Sequence, residues 1–230
     1  MRLTVSKLAC AAIAALGLAS APAFAAGPPL MNGGFESNLD DWTADDALVA
    51  VTNVFFHRDG SGNVDRGDDG VAILPPYSAQ EGFFFAVMSG DLQFEDPDTN
   101  VVKLTQTFST TGGRLTGFAA FLSGDYAPYL DFGYLKISGV GLSQTLFASD
   151  VGLVGDYGQT GWQTFGVNLL AGDYTIEAGI ANVGDDLQSS FLLLDGFAIG
   201  AIPEPATWAM MLAGFFGVGA TLRRRRAVLA

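Results

Sequence analysis

Alternation of apolar and polar residues in short runs is the pattern that most restricts the fold of this chain. In the segment 174–180, aromatic and aliphatic residues alternate with polar or small ones. Segments 102–108 and 115–121 repeat this period, with Gln106 as a polar exception on the apolar side of the first. No stretch between residues 26 and 200 keeps a helical period. Because successive side chains of a strand point to opposite faces, the pattern predicts many short strands, each with one buried face.

Two continuous apolar runs, 83–88 and 191–194, predict strands that are covered on both faces. Residues 49–76 fit the strand pattern poorly and are interpreted as an insertion or an elaborated loop. Clusters of Gly, Asp, Ser and Pro predict turns at 110–113, 123–128, 139–141 and 171–173. Many short strands within one domain-sized region predict an all-β fold, a single β-sandwich.

Apolar segments at both ends of the chain bracket this region. Residues 1–25 have a basic start, an apolar run and the triplet Ala23-Phe24-Ala25, which is typical of a secretory signal peptide cleaved after Ala25. Residues 206–222 are uncharged and mostly apolar, at the short end of what a transmembrane helix needs. The exported β-sandwich domain is therefore predicted to span residues 26–200.

Four consecutive arginines, Arg223, Arg224, Arg225 and Arg226, follow the apolar stretch. Positive charge beside a span predicts a cytoplasmic C-terminus, here residues 223–230, with the domain outside the membrane. Before the span stands a triplet that is extended by its two prolines, Pro203, Glu204 and Pro205, and Trp208 follows it.

In this order, these features resemble the PEP-CTERM sorting tail of Gram-negative bacteria, in its PEPxxWA variant. The resemblance implies that residues 201–205 are a recognition motif for an exosortase-type membrane transpeptidase. It implies a transient membrane anchor, followed by delivery to the cell surface or the extracellular matrix. An ordinary C-terminal anchor that is never cut remains the alternative.

The predicted domain has a strongly acidic balance. Residues 26–200 hold 23 Asp and Glu against 5 Lys and Arg, a net charge of −18, whereas the whole chain carries −13. Such a field repels nucleic acid, so no nucleic-acid partner is expected. The one cysteine, Cys10, lies in the predicted signal peptide. The exported domain therefore has no disulfide and no thiolate chemistry.

Short motifs at the two ends of the domain carry a second resemblance. The sequence N-G-G-F-E opens it at 32–36, Trp42 follows, and L-L-L-D-G-F closes it at 192–197. These motifs resemble the galactose-binding-like jelly rolls, which include carbohydrate-binding modules, and imply a jelly-roll-like β-sandwich. The resemblance also implies a structural calcium ion held by Glu36 and Asp195. The alternative is that Glu36 caps a turn and Asp195 bonds to the backbone.

Signatures of catalysis are weak. His57 is the one histidine, which excludes a zinc site with several His ligands. No nucleophile elbow, phosphate loop or dinucleotide fingerprint is present. The acidic stretch 59–70 departs from a calcium loop at several positions and is interpreted as a solvated loop. A glycoside hydrolase with two carboxylates stays a third hypothesis, since nothing marks which acids would converge.

Sugar binding is the more specific ligand hypothesis, because it needs only an exposed aromatic ring beside polar side chains. The sequence singles out no ligand-binding residue among its candidates. The aromatic candidates and their polar partners are Tyr77, Tyr126, Tyr129, Tyr157 and Trp162, with Asp125, Asp131 and Gln159. The main hypothesis is a non-enzymatic exported protein of the cell surface or the exopolysaccharide matrix. The alternative is a carbohydrate-binding module with a defined glycan ligand.

Overall fold

The structure is a computed structural model that describes residues 27–45, 47–56, 76–90, 101–184, 188–201 and 215–216. The predicted signal peptide, the sorting motif from Pro203 to Trp208 and the four arginines lie outside these ranges, as does His57. So do most of the predicted insertion and nearly all of the apolar stretch 206–222. In the described part of the chain, no helix combines the length and the apolar character that crossing a membrane requires.

Ten strands and one short helix make up the regular structure of the described ranges. In chain order they are β1 (Thr43–Ala44), β2 (Val49–Thr52), β3 (Val54–Phe55), β4 (Tyr77–Ser78), β5 (Phe85–Ser89), β6 (Val102–Leu122), β7 (Phe132–Gly139), β8 (Leu142–Asp150), α1 (Val151–Val154), β9 (Gln163–Ala181) and β10 (Phe191–Gly200). The main sheet has the order β2-β5-β10-β6-β9-β7-β8, with β1 also paired to β6, and β3 and β4 form a separate two-stranded sheet. All neighbouring pairs are antiparallel.

The two long strands β6 and β9 pair with each other from Val102 opposite Ile180 to Ala119 opposite Gln163. Both bend at glycines, since Gly113 has φ +154° and Gly172 has φ +146°, values that other residues rarely adopt. The predicted turns at 110–113 and 171–173 are therefore wrong: glycine bends the two strands there without ending them. The predicted turn at 139–141 joins β7 to β8.

The paired bends divide the main sheet into two layers. We call front sheet the layer of β1, β7, β8 and the parts of β6 and β9 at 102–109 and 173–181. The back sheet contains β2, β5, β10 and the remaining parts of β6 and β9. The layers face each other: a Cβ on Gly133 in the front sheet would lie 3.1 Å from the Phe121 ring in the back sheet.

One hydrophobic core fills the space between the two layers. The alternating apolar residues of segments 102–108, 115–121 and 174–180 belong to it, as the pattern predicts. Within 115–121, Phe118 and Ala120 lie on the other face of the strand. Gln106, the polar exception, is buried because its side-chain amide forms two 2.9 Å hydrogen bonds with the backbone of Met31. The predicted all-β class, with a single jelly-roll-like β-sandwich, is confirmed over the described residues.

The outer faces of the two layers differ. The outer face of the back sheet is covered at β5, β10 and the end of β6 by a second apolar cluster that includes Tyr77, Phe85 and Leu193, so strands β5 and β10 are buried on both faces there. The prediction for 83–88 holds only from residue 85 onward, because Phe83 is 77% exposed in the loop before β5. The outer face of the front sheet is open and mostly polar, with Thr107 and Thr175 hydroxyls 2.9 Å apart.

Candidate functional site

The opening and closing motifs of the domain pack against each other. Phe35, Trp42 and Phe197 form an aromatic cluster with ring centroids 5.2 to 6.2 Å apart. The Phe197 N–H donates a 3.0 Å hydrogen bond to the Gly33 carbonyl, and a Cβ on Gly33 would lie 1.9 Å from the Phe197 carbonyl oxygen. The glycine of the opening motif is thus required for this close approach, which brings the ends of the domain together.

Glu36 and Asp195, the two predicted calcium ligands, hold the same loop at residues 80–84. The Oδ2 atom of Asp195 accepts backbone hydrogen bonds from residues 80 and 81 at 2.5 and 3.0 Å. The Oε1 atom of Glu36 accepts them from residues 83 and 84 at 2.7 and 2.9 Å. We call this arrangement the acid clasp. It joins the first and last segments of the domain to the loop before β5.

Two opposing effects act on the charge of Asp195: burial disfavours the ionised carboxylate, and backbone hydrogen bonds favour it. Burial raises the pKa of Asp195 above its usual value, and the charge of Glu81 acts in the same direction. Three backbone N–H groups lower this pKa, from Glu81, Gln80 and Gly196, because they donate to the ionised carboxylate. Within the acid clasp, Asp195 is thus a buried carboxylate stabilised by backbone donors, whereas Glu36 is exposed.

The acid clasp fits a resident calcium ion poorly. Calcium takes about six to eight oxygen ligands, whereas the Glu36 and Asp195 oxygens already accept five backbone hydrogen bonds. Backbone N–H groups at these oxygens compete with a cation. Over the described residues, no group of three or more His, Cys, Asp or Glu is placed to hold a metal ion. The calcium site stays a prediction. The backbone hydrogen bonds of the acid clasp match the alternative, in which Glu36 caps a turn and Asp195 bonds to the backbone.

Calcium titration tests the acid clasp. We expect millimolar calcium or a chelator to shift the melting temperature by less than about 1 °C, because backbone donors already occupy the two carboxylates. A calcium site filled to a hundred times its dissociation constant would add about 3 kcal/mol to the free energy of unfolding. A calcium-dependent rise of several degrees, absent in Glu36→Gln, would establish the metal site.

Three of the tyrosines proposed as sugar contacts meet at one end of the sandwich. The Tyr126 ring centroid lies 5.4 Å from that of Tyr129 and 5.9 Å from that of Tyr157. Tyr126 is 41% exposed, and the other two are half-buried. We call these three residues the tyrosine cluster. It is formed by the loop between β6 and β7 and by the turn after α1.

Local backbone contacts fix the tyrosine cluster. The Tyr157 N–H donates to the Asp125 carbonyl at 2.9 Å, and the Tyr129 N–H donates to the Tyr126 carbonyl at 2.9 Å. Tyr157 has φ +52°, a left-handed conformation that is unfavourable for a non-glycine residue and is found preferentially at functional sites. The Oε1 atom of Gln159 is buried and makes no hydrogen bond within the described residues.

Asp125 and Asp131, predicted as hydroxyl partners of a sugar, instead form the buried base of the cluster. Asp131 is fully buried and accepts hydrogen bonds from the Val183 N–H at 2.8 Å and the Ser190 hydroxyl at 2.7 Å. Its carbonyl accepts from the Val151 N–H at 3.1 Å. Asp131 therefore ties the loop at 123–131, which carries two of the tyrosines, to the start of α1 at Val151 and to Val183 and Ser190.

Burial raises the pKa of Asp131 to about 6, and the nearby Asp125 charge contributes, while hydrogen bonds from Ser190 and Val183 lower it. Because the folded-state pKa exceeds the unfolded one, the folded state binds this proton more tightly. The resulting stabilisation is present at low pH and is lost as the pH rises through about 6.

We therefore expect Asp131→Asn to flatten the pH dependence of stability. Between pH 5 and pH 7, the Asp131 contribution to the free energy of unfolding should fall by about 1 kcal/mol in the unmodified chain. Denaturant unfolding at several pH values measures the slope of the free energy of unfolding against pH. Hydrogen bonds that the substitution removes at every pH change the free energy of unfolding by a constant and leave this slope unchanged. Asp195 is present in both the unmodified chain and the variant, so its contribution to the pH dependence is the same in each. Identical slopes would contradict the assignment.

Tyr77 and Trp162, the other aromatic candidates, lie away from the tyrosine cluster. They pack edge to face at 5.7 Å on the outer face of the back sheet, and Trp162 Nε1 donates to the Ser78 carbonyl at 3.1 Å. Burial raises the pKa of Tyr77 to about 12. Both residues pack the two-stranded β3–β4 sheet against the back sheet.

The sequence-based selection missed an aromatic pair on the open face of the front sheet. Phe132 and Tyr134 are both half-buried, with ring centroids 6.4 Å apart and planes 17° apart. The Tyr134 hydroxyl donates to Glu177 Oε1 at 2.8 Å, and Lys136 Nζ lies 3.9 Å from the Tyr134 ring centroid. We call Phe132 and Tyr134 the aromatic strip. Phe132 and Tyr134 alternate with buried residues along β7, and this alternation predicts that the aromatic strip lies on the outer face of the sheet.

Comparison with solved structures finds several proteins to which the chain is similar. It is similar to TmCBM61, solved in complex with β-1,4-galactotriose, at 16% identity over 76% of this chain and 99% of that chain, with a TM-score of 0.47. It is similar to a CBM28 module specific for non-crystalline cellulose, at 9% identity over 77% and 97% of the two chains, with a TM-score of 0.40. It is also similar to the K3 cleaved adhesin domain of Lys-gingipain from Porphyromonas gingivalis w83, at 14% identity over 74% and 97%, with a TM-score of 0.37. No family model and no curated protein matches the sequence.

Proposed function

We propose that the domain is a non-catalytic module that binds polysaccharide on an exported protein. The observation that carries this proposal is the tyrosine cluster, in which an exposed aromatic ring stands on a rigid, hydrogen-bonded base. Aromatic rings stack on the apolar faces of sugar rings, and their hydroxyl groups bond to sugar hydroxyls. Because Asp131 fixes the surrounding loops, little conformational entropy is lost when a ligand binds.

The placement of the acids supports a binding role over catalysis. The two aspartates with raised pKa values, Asp131 and Asp195, are both fully buried. Both are engaged with backbone N–H groups, and they lie at different places in the fold. Glycoside hydrolysis needs two carboxyl groups that flank the scissile bond of a bound sugar. Buried acids that serve as hydrogen-bond anchors do not meet that requirement.

Removal of the exposed ring tests the proposal. We expect Tyr126→Ala to weaken binding to a retained polysaccharide by at least about tenfold, as for truncation of a central aromatic contact. The measurement is a screen of the full chain against polysaccharides, followed by affinity electrophoresis of the variant on the polymer that is retained.

Phe83→Ala is the matched control, because Phe83 is another exposed aromatic residue, in the loop before β5. It should leave the affinity unchanged. Tyr134→Ala tests the aromatic strip in the same assay. If Tyr126→Ala binds every retained polysaccharide as tightly as the unmodified chain does, the tyrosine cluster is not the binding site. Release of reducing sugar from the retained polymer contradicts the non-catalytic role.

We infer that the protein reaches its site of action by export and sorting through its C-terminal segment. The sequence supports this inference, because the Pro203-Glu204-Pro205 triplet, the apolar stretch 206–222 and the four arginines follow one another in it. Mass spectrometry of the native surface form should show a chain that begins at Ala26 and lacks Arg223 to Ala230. A surface form that retains those residues would identify the tail as a permanent anchor.

A further inference from the structure

A groove of about 300 Å³ lies on the outer face of the back sheet, away from the tyrosine cluster. Strand β6 lines it with Arg114, Thr116 and Phe118, and strand β9 contributes Thr164 and Gly166. We call it the Arg114 groove. Residues 163–169 of β9 pair with β6 alone among the described strands, so the groove opens at an edge of the back sheet.

The fold holds the Arg114 side chain across this groove. Arg114 Nη1 donates to the Asn168 side-chain oxygen at 3.2 Å. The guanidinium lies over Gly166, since a Cβ at that position would be only 2.8 Å from Nη2. Asn168 is a neutral partner, so it orients the guanidinium without neutralising its charge. Gly166 leaves the space in which the planar group lies.

The charge of Arg114 is unusual for its surroundings. The region 26–200 contains 23 carboxylates, yet Arg114 forms no ion pair with any acid that the structure describes. The other two described cations of the domain, Lys103 and Lys136, have outward positions on the front sheet. Arg114 is thus the one described cation of the back sheet, and it is presented in a groove of ligand size.

We propose that the Arg114 groove binds a sugar acid of an anionic polysaccharide through its carboxylate. A planar guanidinium binds a carboxylate with two parallel hydrogen bonds, which lysine cannot reproduce. The hydroxyls of Thr116 and Thr164 face the same space and suit sugar hydroxyls, and the half-buried Phe118 ring offers an apolar face to the sugar ring.

This inference rests on the proposed function for the class of ligand, a polysaccharide, but it assigns a separate surface. Arg114 stands eight residues before the end of β6, from which the loop of the tyrosine cluster departs. At about 3.3 Å per residue along a strand, the two surfaces are roughly 25 Å apart. A domain with both surfaces binds two polymer segments at once and so links them.

Binding of polygalacturonate to the full-length protein in detergent tests the inference. Its methyl ester, in which the carboxylates are capped, is the matched ligand control. At about 0.15 M salt the Debye length is about 8 Å, so distant acids contribute little. We expect Arg114→Gln to weaken polygalacturonate binding about tenfold or more, since a charged hydrogen-bonded contact is lost. The methyl ester should bind as weakly to the unmodified chain as polygalacturonate binds to the variant.

Lys103→Gln is the matched protein control, because it removes the same charge from the front sheet. It should retain the affinity of the unmodified chain within about twofold, as expected for a charge away from the site. Arg114→Lys, which keeps the charge without the planar fork, should lose affinity nearly as Arg114→Gln does. Unchanged melting temperatures show that the variants are folded.

Three results would overturn the inference: no binding of polygalacturonate, equal loss in Lys103→Gln and Arg114→Gln, or full affinity in Arg114→Lys. Failure of the proposed function gives a different result. In that case Tyr126→Ala leaves the affinity for neutral polysaccharide unchanged, independently of the effect of Arg114→Gln on polygalacturonate binding. If Arg114→Gln loses polygalacturonate binding while Tyr126→Ala keeps full affinity for neutral polysaccharide, the Arg114 groove is supported as a binding site and the tyrosine cluster is rejected as one.

Discussion

The pairing of β6 with β9 is the interaction on which the rest of this structure depends. These two strands run together through both layers, and every other strand of the main sheet joins one of them directly or through one or two intermediate strands. Their paired bends at Gly113 and Gly172 turn one ladder of hydrogen bonds into two facing sheets. The core, the covered back face and the open front face all follow from that geometry.

Much of this architecture could be predicted from the sequence because burial imposes a period of two on a strand. The alternation at 174–180 predicted the inward residues of β9, all of which are buried. The same reasoning placed turns at 110–113 and 171–173, because glycine and polar residues mark both turns and bends. Only the tertiary pairing of β6 with β9 distinguishes a bent strand from two strands joined by a turn.

The candidate sites were predicted less completely, and for a different reason. Composition favours an exposed role for aspartate, yet Asp125 and Asp131 are buried and organise loops. The sequence identified Tyr126, Tyr129 and Tyr157 as separate candidates, but their contact depends on loops that are adjacent only in the fold. Phe132, Tyr134 and Arg114 carry no motif, so their surfaces emerge only from the register of neighbouring strands.

The position of the last strand has a mechanical consequence. β10 lies between β5 and β6, hydrogen-bonded to both, and the chain leaves the domain directly after it at Ala201. A pull on the following segment runs along β10 and loads both of its hydrogen-bond ladders in shear, so that many bonds resist together. An edge strand would instead peel away one bond at a time. The domain therefore resists a pull on the segment that follows β10.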